Sequence, residues 1–370
     1  MIATKVEHLF NLGRVFEGRA FAALRRRFML GLEHTQAMAA DVAVSGIGGA
    51  REMFRWRDDE TEKEETRRTG VGLMFWSAMA GNAEAVRALA ADGSTHHLNN
   101  SISVLYPELF SFGQIGATAL HAAAVSFDWA TMEALLEAGA DPHAKTILLG
   151  NDAMAWVTLM AQTPEEANIV TLWNQRFPDW NWEKRDRKVG GSLLQYAVQT
   201  GPDKIHVIKA LVAVGANPTV RAHTGTHVLV NAASNLDTSP ECVRYLLSIP
   251  GVREMVNMPM VGTTRKWKIQ LKVLRLLVWL GSKTTLFKVA STWDRLTPLG
   301  SAAQNGNAVV MHVLSTEGGA NRLARNAQGY TPLDLARRAN GDPSYYNPLL
   351  ATQSLSPAVE DSTPRDTGKT

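Results

Sequence analysis

The apolar positions of this chain recur as pairs of short helical stripes. Between Gly116 and Lys145 the sequence reads GATALHAAAVSFDWATMEALLEAGADPHAK. Thr118 precedes the first stripe as a helix cap, and His121, three residues on, is placed to reach back toward it. Ala122, Ala123 and Ala124 make this first helix thin, so it can lie close to neighbours at the roughly 10 Å spacing of packed helices. Met132, Leu135 and Leu136 fall three and four apart, the period of a second and bulkier helix. Gly139 follows its last apolar turn, where a left-handed C-cap is expected. The pattern predicts a helix, a turn, a second helix and a stop.

The same skeleton returns along the chain. GVGLMFWSAMAGNAEAVRALAADGST, from Gly70, keeps Gly81, Leu89 and Gly93. GGSLLQYAVQTGPDKIHVIKALVAVGANP, from Gly190, keeps Leu194, Ala197, Gly201, Leu211, Gly215 and Ala216. GTHVLVNAASNLDTSPECVRYLLSIPGV, from Gly225, keeps Leu229, Ala232, Ala233, Leu246 and Leu247. The text Thr-Pro-Leu occurs at Thr297 and again at Thr331. In each case Thr is a cap, Pro takes the first helical position, where its missing N–H costs nothing, and Leu enters the core.

This text resembles the ankyrin repeat, whose signature is Thr-Pro-Leu-His-x-Ala near the start and Gly-Ala after the second helix. Gly300 stands where that family usually has His. The resemblance implies an all-α ankyrin-repeat solenoid of stacked helix-turn-helix units with short fingers between them. It covers residues 70–341, about seven to eight repeats, the last one partial. Two intervals depart from the pattern and are read as degenerate repeats: Gly150 to Asp186, and Asn257 to Asp294, where only LRLLVWLGS resembles the end of a second helix. Residues 1–69 read as an N-terminal helical extension and charged linker, whose first forty residues suit either an amphipathic helix covering the end of the array or a transit peptide. Residues 342–370 are rich in Pro, Ser and Thr and are expected to be disordered.

Composition narrows the function without naming it. Apolar residues make up 45% of the 370 positions, ample for a large core, and no stretch is long and uncharged enough for a membrane span. A net charge of +3 is too small at this length to call for nucleic acid. The single cysteine, Cys242, excludes an intrachain disulfide framework and points to a reducing compartment, so a cytoplasmic location is expected, with nucleus and organelles left open. No phosphate loop, paired-histidine zinc motif or Gly-x-Ser-x-Gly elbow appears. His96 and His97 diverge and lack nearby ligand partners, and Cys242 reads as core filler. No catalytic residue, metal or cofactor is expected.

Two stretches invite a partner. FPDWNWEKRDRK, Phe177 to Lys188, falls in an inter-repeat finger and offers Trp182, Lys184, Arg185, Arg187 and Lys188 as contact residues, since Trp and Arg most often anchor interfaces. The plain alternative is that Trp180 takes the apolar base position and packs inward while the basic run is simply solvated. RKWKIQLKVLRLLVWLGSKTTLFK, from Arg265, has no acid and places Lys266, Trp267, Lys268, Lys272 and Arg275 on a basic amphipathic helix. Such a helix suits an acidic cleft of the calmodulin kind or an anionic lipid surface; the plain alternative is the outer helix of a degenerate repeat. The resemblance implies a monomeric, non-catalytic adaptor that binds a protein partner through its concave face and fingers. A regulatory or accessory subunit of an enzyme complex is the alternative.

Overall fold

The computed structural model describes residues 72–91, 98–101, 115–147, 150–186, 189–201, 204–279, 292–339 and 349. Among them the chain is all-α, with two isolated β-bridges and no sheet. The helices come in pairs: α1 (Leu73–Met79) with α2 (Ala83–Ala91), α3 (Ala119–Ser126) with α4 (Trp129–Glu137), and α5 (Ala153–Met160) with α6 (Pro164–Arg176). Next come α7 (Leu193–Gln199) with α8 (Ile205–Ala213) and α9 (Val228–Ser234) with α10 (Pro240–Ser248). A short turn of helix, α11 (Pro250–Arg253), and a longer helix, α12 (Arg265–Trp279), precede the pair α13 (Pro298–Asn305) and α14 (Ala308–Thr316). The last helix is α15 (Pro332–Ala339).

The first helices stack in the order α1, α3, α5, α7, α9, α13, α15, and behind them α2 packs on α4, α6 on α8 and α10 on α14. Small side chains allow this close approach: Ala122, Ala123 and Ala124 in α3, Ala232 and Ala233 in α9, and Ala302 and Ala303 in α13 are all buried. Each second helix contributes a bulkier stripe, and Leu135, Leu211, Leu246 and Leu314 are fully buried between units. These side chains belong to one continuous apolar core running the length of the stack. Burying each leucine contributes about 2 kcal/mol.

Local chemistry sets the helix ends. Thr297 Oγ1 accepts the Gly300 N–H at 3.2 Å, Pro298 opens α13, and Gly306 ends it at φ 72°. The Thr118 N–H donates to His121 Nδ1 at 3.2 Å, the reach-back that the sequence spacing predicts. Asparagines then tie the first helices together at their C-terminal ends. Asn235 Nδ2 donates to the carbonyls of Val198 and Gly201, and Asn307 Nδ2 donates to the Asn235 carbonyl at 2.7 Å.

The reading of residues 257–294 as a degenerate repeat gives way to a different arrangement. α9 packs directly on α13 and α10 directly on α14, so no helix pair stands between them. The segment leaves the stack at Met260 and returns at Leu296. There the Met260 N–H donates to the Leu296 carbonyl at 2.7 Å and the Arg295 N–H to the Met260 carbonyl at 2.9 Å. Met260 and Leu296 are both buried, so this neck belongs to the core while the segment between is an insertion. No helix among the described residues is long and apolar enough to cross a membrane. The N-terminal extension and nearly all of the C-terminal tail lie outside the described residues.

Candidate protein-binding finger row

The loops between units fold back as fingers, each closed by a backbone hydrogen bond: Thr146 to Asn151, Asp186 to Gly191, Ala222 to Thr226, and Asn326 to Tyr330, the first residue donating in each case. Neighbouring fingers are also bonded to each other. The Ile147 N–H donates to the Ile115 carbonyl, His223 to Val189, Thr263 to His223, and Ala327 to Asp294, all within 2.7 to 2.9 Å. Such closeness needs glycine. A Cβ on Gly190, at φ +72°, would lie 2.5 Å from the His223 ring, and one on Gly225, at φ +90°, would lie 2.2 Å from the Val261 carbonyl oxygen. These bonds hold the backbones of neighbouring fingers in fixed register.

At the finger from Phe177 to Ser192 the aromatic residues turn inward. Trp180 is 8% exposed and Trp182 5% exposed, so the expectation that Trp182 projects toward a partner is corrected. The reason is a tight turn, in which the Trp182 N–H donates to the Trp180 carbonyl at 3.0 Å and the second indole comes back beside the first. Both indoles then join Trp173 of α6. Trp173 and Trp180 meet edge to face at 5.1 Å, Trp180 and Trp182 at 6.5 Å, and Phe177 closes the group. Trp182 Nε1 donates to Asn174 Oδ1 at 2.9 Å, which satisfies its polar edge. His143, from the finger before, stacks flat on Trp180 with ring centres 4.8 Å apart.

Lys184 also faces its own protein. Its Nζ lies 2.7 Å from Asp152 Oδ2, and the same carboxylate caps α5 by accepting the Ala155 N–H through Oδ1 at 3.0 Å. The lysine thus closes the finger onto the preceding helix start. Arg185 is the described member of the candidate set that remains exposed. Its Nη1 donates to the Arg221 carbonyl at 3.2 Å, and Arg221 Nη2 donates in turn to the Val261 carbonyl at 3.2 Å. Arginines therefore link three successive fingers along the edge. Arg187 and Lys188 lie outside the described residues.

Asp186 is a residue the sequence reading passed over. Its Oδ1 accepts the Val189 N–H at 2.7 Å, and its Oδ2 accepts the Gly191 N–H at 2.6 Å and the Tyr196 hydroxyl at 2.7 Å. An aspartate three residues before a Val-Gly-Gly turn was the available signal. Burial, together with the Asp186 carboxylate, holds the Tyr196 phenol above the usual tyrosine range. The knot fixes where Arg185 stands.

The second candidate set lies on α12. Lys266, Lys268 and Lys272 are exposed and Trp267 is half-buried, while of Arg275 only the backbone is described. The α12 lysines are carried on the insertion and the finger cations on the stack edge. Cys242 is buried in α10. Among the described residues no group of three or more His, Cys, Asp or Glu side chains is placed to hold a metal ion.

Residues 115–147 match the ankyrin repeat family model. The human ASB11 ankyrin repeat domain is a similar solved structure, with a TM-score of 0.44 and 21% identity over 75% of this chain and 96% of that one. The ankyrin repeat domain of Bcl-3, described as a unique member of the IkappaB protein family, gives a TM-score of 0.45 and 19% identity over 71% of this chain and 93% of that one. No curated protein sequence matches this chain.

Proposed function

We propose that this stack is a non-catalytic adaptor whose protein partner docks along the finger row, with Arg185, Arg187 and Lys188 making contact. Ankyrin repeats of the kind matched at residues 115–147 generally serve protein–protein interaction. The observation that carries the reading for this chain is the finger-to-finger backbone bonding, Thr263 to His223 and His223 to Val189, which holds neighbouring tips in register. A surface already ordered before binding loses little conformational entropy when a partner arrives, so modest contacts suffice for affinity. Arg185 supplies a fixed positive charge there, and Arg187 and Lys188 follow it in sequence. The partner face is accordingly acidic.

The test replaces Arg185, Arg187 and Lys188 together by glutamate and leaves Trp182 and Lys184 untouched, because those two hold the finger itself. Cross-linked complexes of the parent and the variant are captured from native lysate and compared by mass spectrometry. The expected result is a partner retained by the parent and lost by a variant that melts like the parent. An identical set of partners in both would remove the finger row from the interface.

A further inference from the structure

We infer that α12 is a docking helix for an anionic lipid bilayer, carried outside the repeat stack on its own insertion. The inference does not rest on the finger row. Three large apolar side chains on α12 face solvent: Ile269 is 60% exposed, Val273 38% and Leu276 51%. Their spacing of four and three puts them on one face, a continuous stripe of the kind that a globular protein normally buries.

The cations stand on both sides of the exposed stripe. At 100° per residue Arg265 and Lys272 fall on one flank of Ile269 and Leu276, and Lys266 falls on the other flank beside Val273. All three cations are exposed. Long basic side chains beside an apolar stripe can rise to phosphate level while the stripe enters the acyl boundary, which is the arrangement of a helix lying flat in an interface. With 15 residues the helix is about 22 Å long, too short and too charged to cross the hydrocarbon core.

The first turn of the helix is engaged on its far side at Trp267, and this favours a bilayer over an acidic cleft that encloses the helix. Trp267 is half-buried beside the neck, where a Cβ on Gly262 would lie 3.2 Å from its own Cβ. Thr263 anchors that neck by bonding the carbonyls of Ala222 and His223. A protein cleft that wraps a helix needs most of its circumference. A flat anionic surface needs only the outward half, and that half is what α12 presents.

The experiment is co-sedimentation of the full chain with vesicles of phosphatidylcholine alone, or of phosphatidylcholine with about 30 mol % phosphatidylserine, at low and high salt. The parent should bind the phosphatidylserine vesicles and release them as salt rises. Replacing Lys266, Lys268 and Lys272 together by glutamine should weaken binding on the order of a hundredfold, at roughly fivefold for each cation near such a surface. Ile269→Ser with Leu276→Ser should weaken it by tenfold or more while leaving the melting temperature unchanged, because neither side chain supports the core. Equal binding of the parent to both vesicle types, or undiminished binding by the folded glutamine variant, would overturn the inference. So would a stoichiometric complex with calcium-loaded calmodulin, the acidic-cleft probe, by a chain that ignores the vesicles.

Discussion

Two histidines show how much of a residue's role is written in its neighbours. His121 closes a local loop: Nδ1 takes the Thr118 N–H, and Nε2 lies 3.1 Å from the Asn151 carbonyl, so the proton sits on Nε2 and both nitrogens are used. A cap three residues upstream is visible in sequence, and so was this role. His227 is different. Its Nε2 faces the Met258 carbonyl at 3.3 Å, but Nδ1 is buried without a partner. Burial pushes its pKa down to about 4, with the Met258 carbonyl opposing and the nearby Arg221 charge assisting. Met258 stands 31 residues away along the chain, and burial is set by the stack, so nothing in the local text announced it. In the unfolded chain the group titrates near 6.5. Above that pH both states are neutral and stability is full. As pH falls from about 6.5 toward 4 the unfolded state takes up a proton that the folded state refuses, and stability is lost. His121, also lowered by burial, acts in the same direction. Between pH 7 and pH 4.5 His227 should account for about 2 to 3 kcal/mol of lost stability. Urea unfolding of the parent and of His227→Gln across this range checks it: the parent should fall more steeply, and parallel curves would remove His227 as the cause.

At the level of elements, helix pairs were legible because their determinants are local. The spacing of Met132, Leu135 and Leu136, the cap at Thr297 and the stop at Gly139 each act within a few residues, and the corresponding helices begin and end beside them. The finger from Phe177 was legible only at its base. Trp180 was placed inward by register, whereas the direction of Trp182 depends on a tight turn and on Asn174 one helix away. A Trp-x-Trp text does not reveal whether its second ring follows the first into the core. The consequence is a separation of roles within one finger. Trp182→Ala removes a ring packed against Trp180 together with the partner of Asn174, and should cost about 3 kcal/mol. Thermal melting of this variant beside Arg185→Glu checks the division. The tryptophan variant should melt several degrees below the parent and the arginine variant should not. A Trp182→Ala protein as stable as the parent would return that ring to the list of contact residues.

At the scale of the whole molecule, chain length misled where local pattern did not. Between Thr226 and Thr297 the chain runs for about two repeat intervals, which invited an extra unit, and a run of leucines supplied a helix to fill it. A solenoid, however, needs each unit to bury both faces against its neighbours. The direct packing of α9 on α13, with Ser234 and Ser301 hydroxyls 3.1 Å apart and the Asn235 carbonyl taken by Asn307, leaves no space for another unit. Stability of such an array is a sum of units and nearest-neighbour interfaces, and α12, beyond the neck, lies in neither sum. It should therefore be removable. The neck is already closed by the bonds between Met260 and Leu296, so a Gly-Ser linker in place of residues 265–291 removes α12 and leaves the neck in place. The shortened chain keeps Val261, Thr263, Thr292 and Asp294, and with them the bonds of the neck to Arg221, His223, Asn326 and Ala327. Its melting temperature should stay within about 4 °C of the parent, with one cooperative transition. The shortened chain should also keep the finger-row partner while losing phosphatidylserine vesicles, since the two surfaces sit on separable parts of the molecule. Calorimetry together with the two binding assays reads all three quantities, and a split or strongly lowered transition would mean that residues 265–291 carry part of the stack.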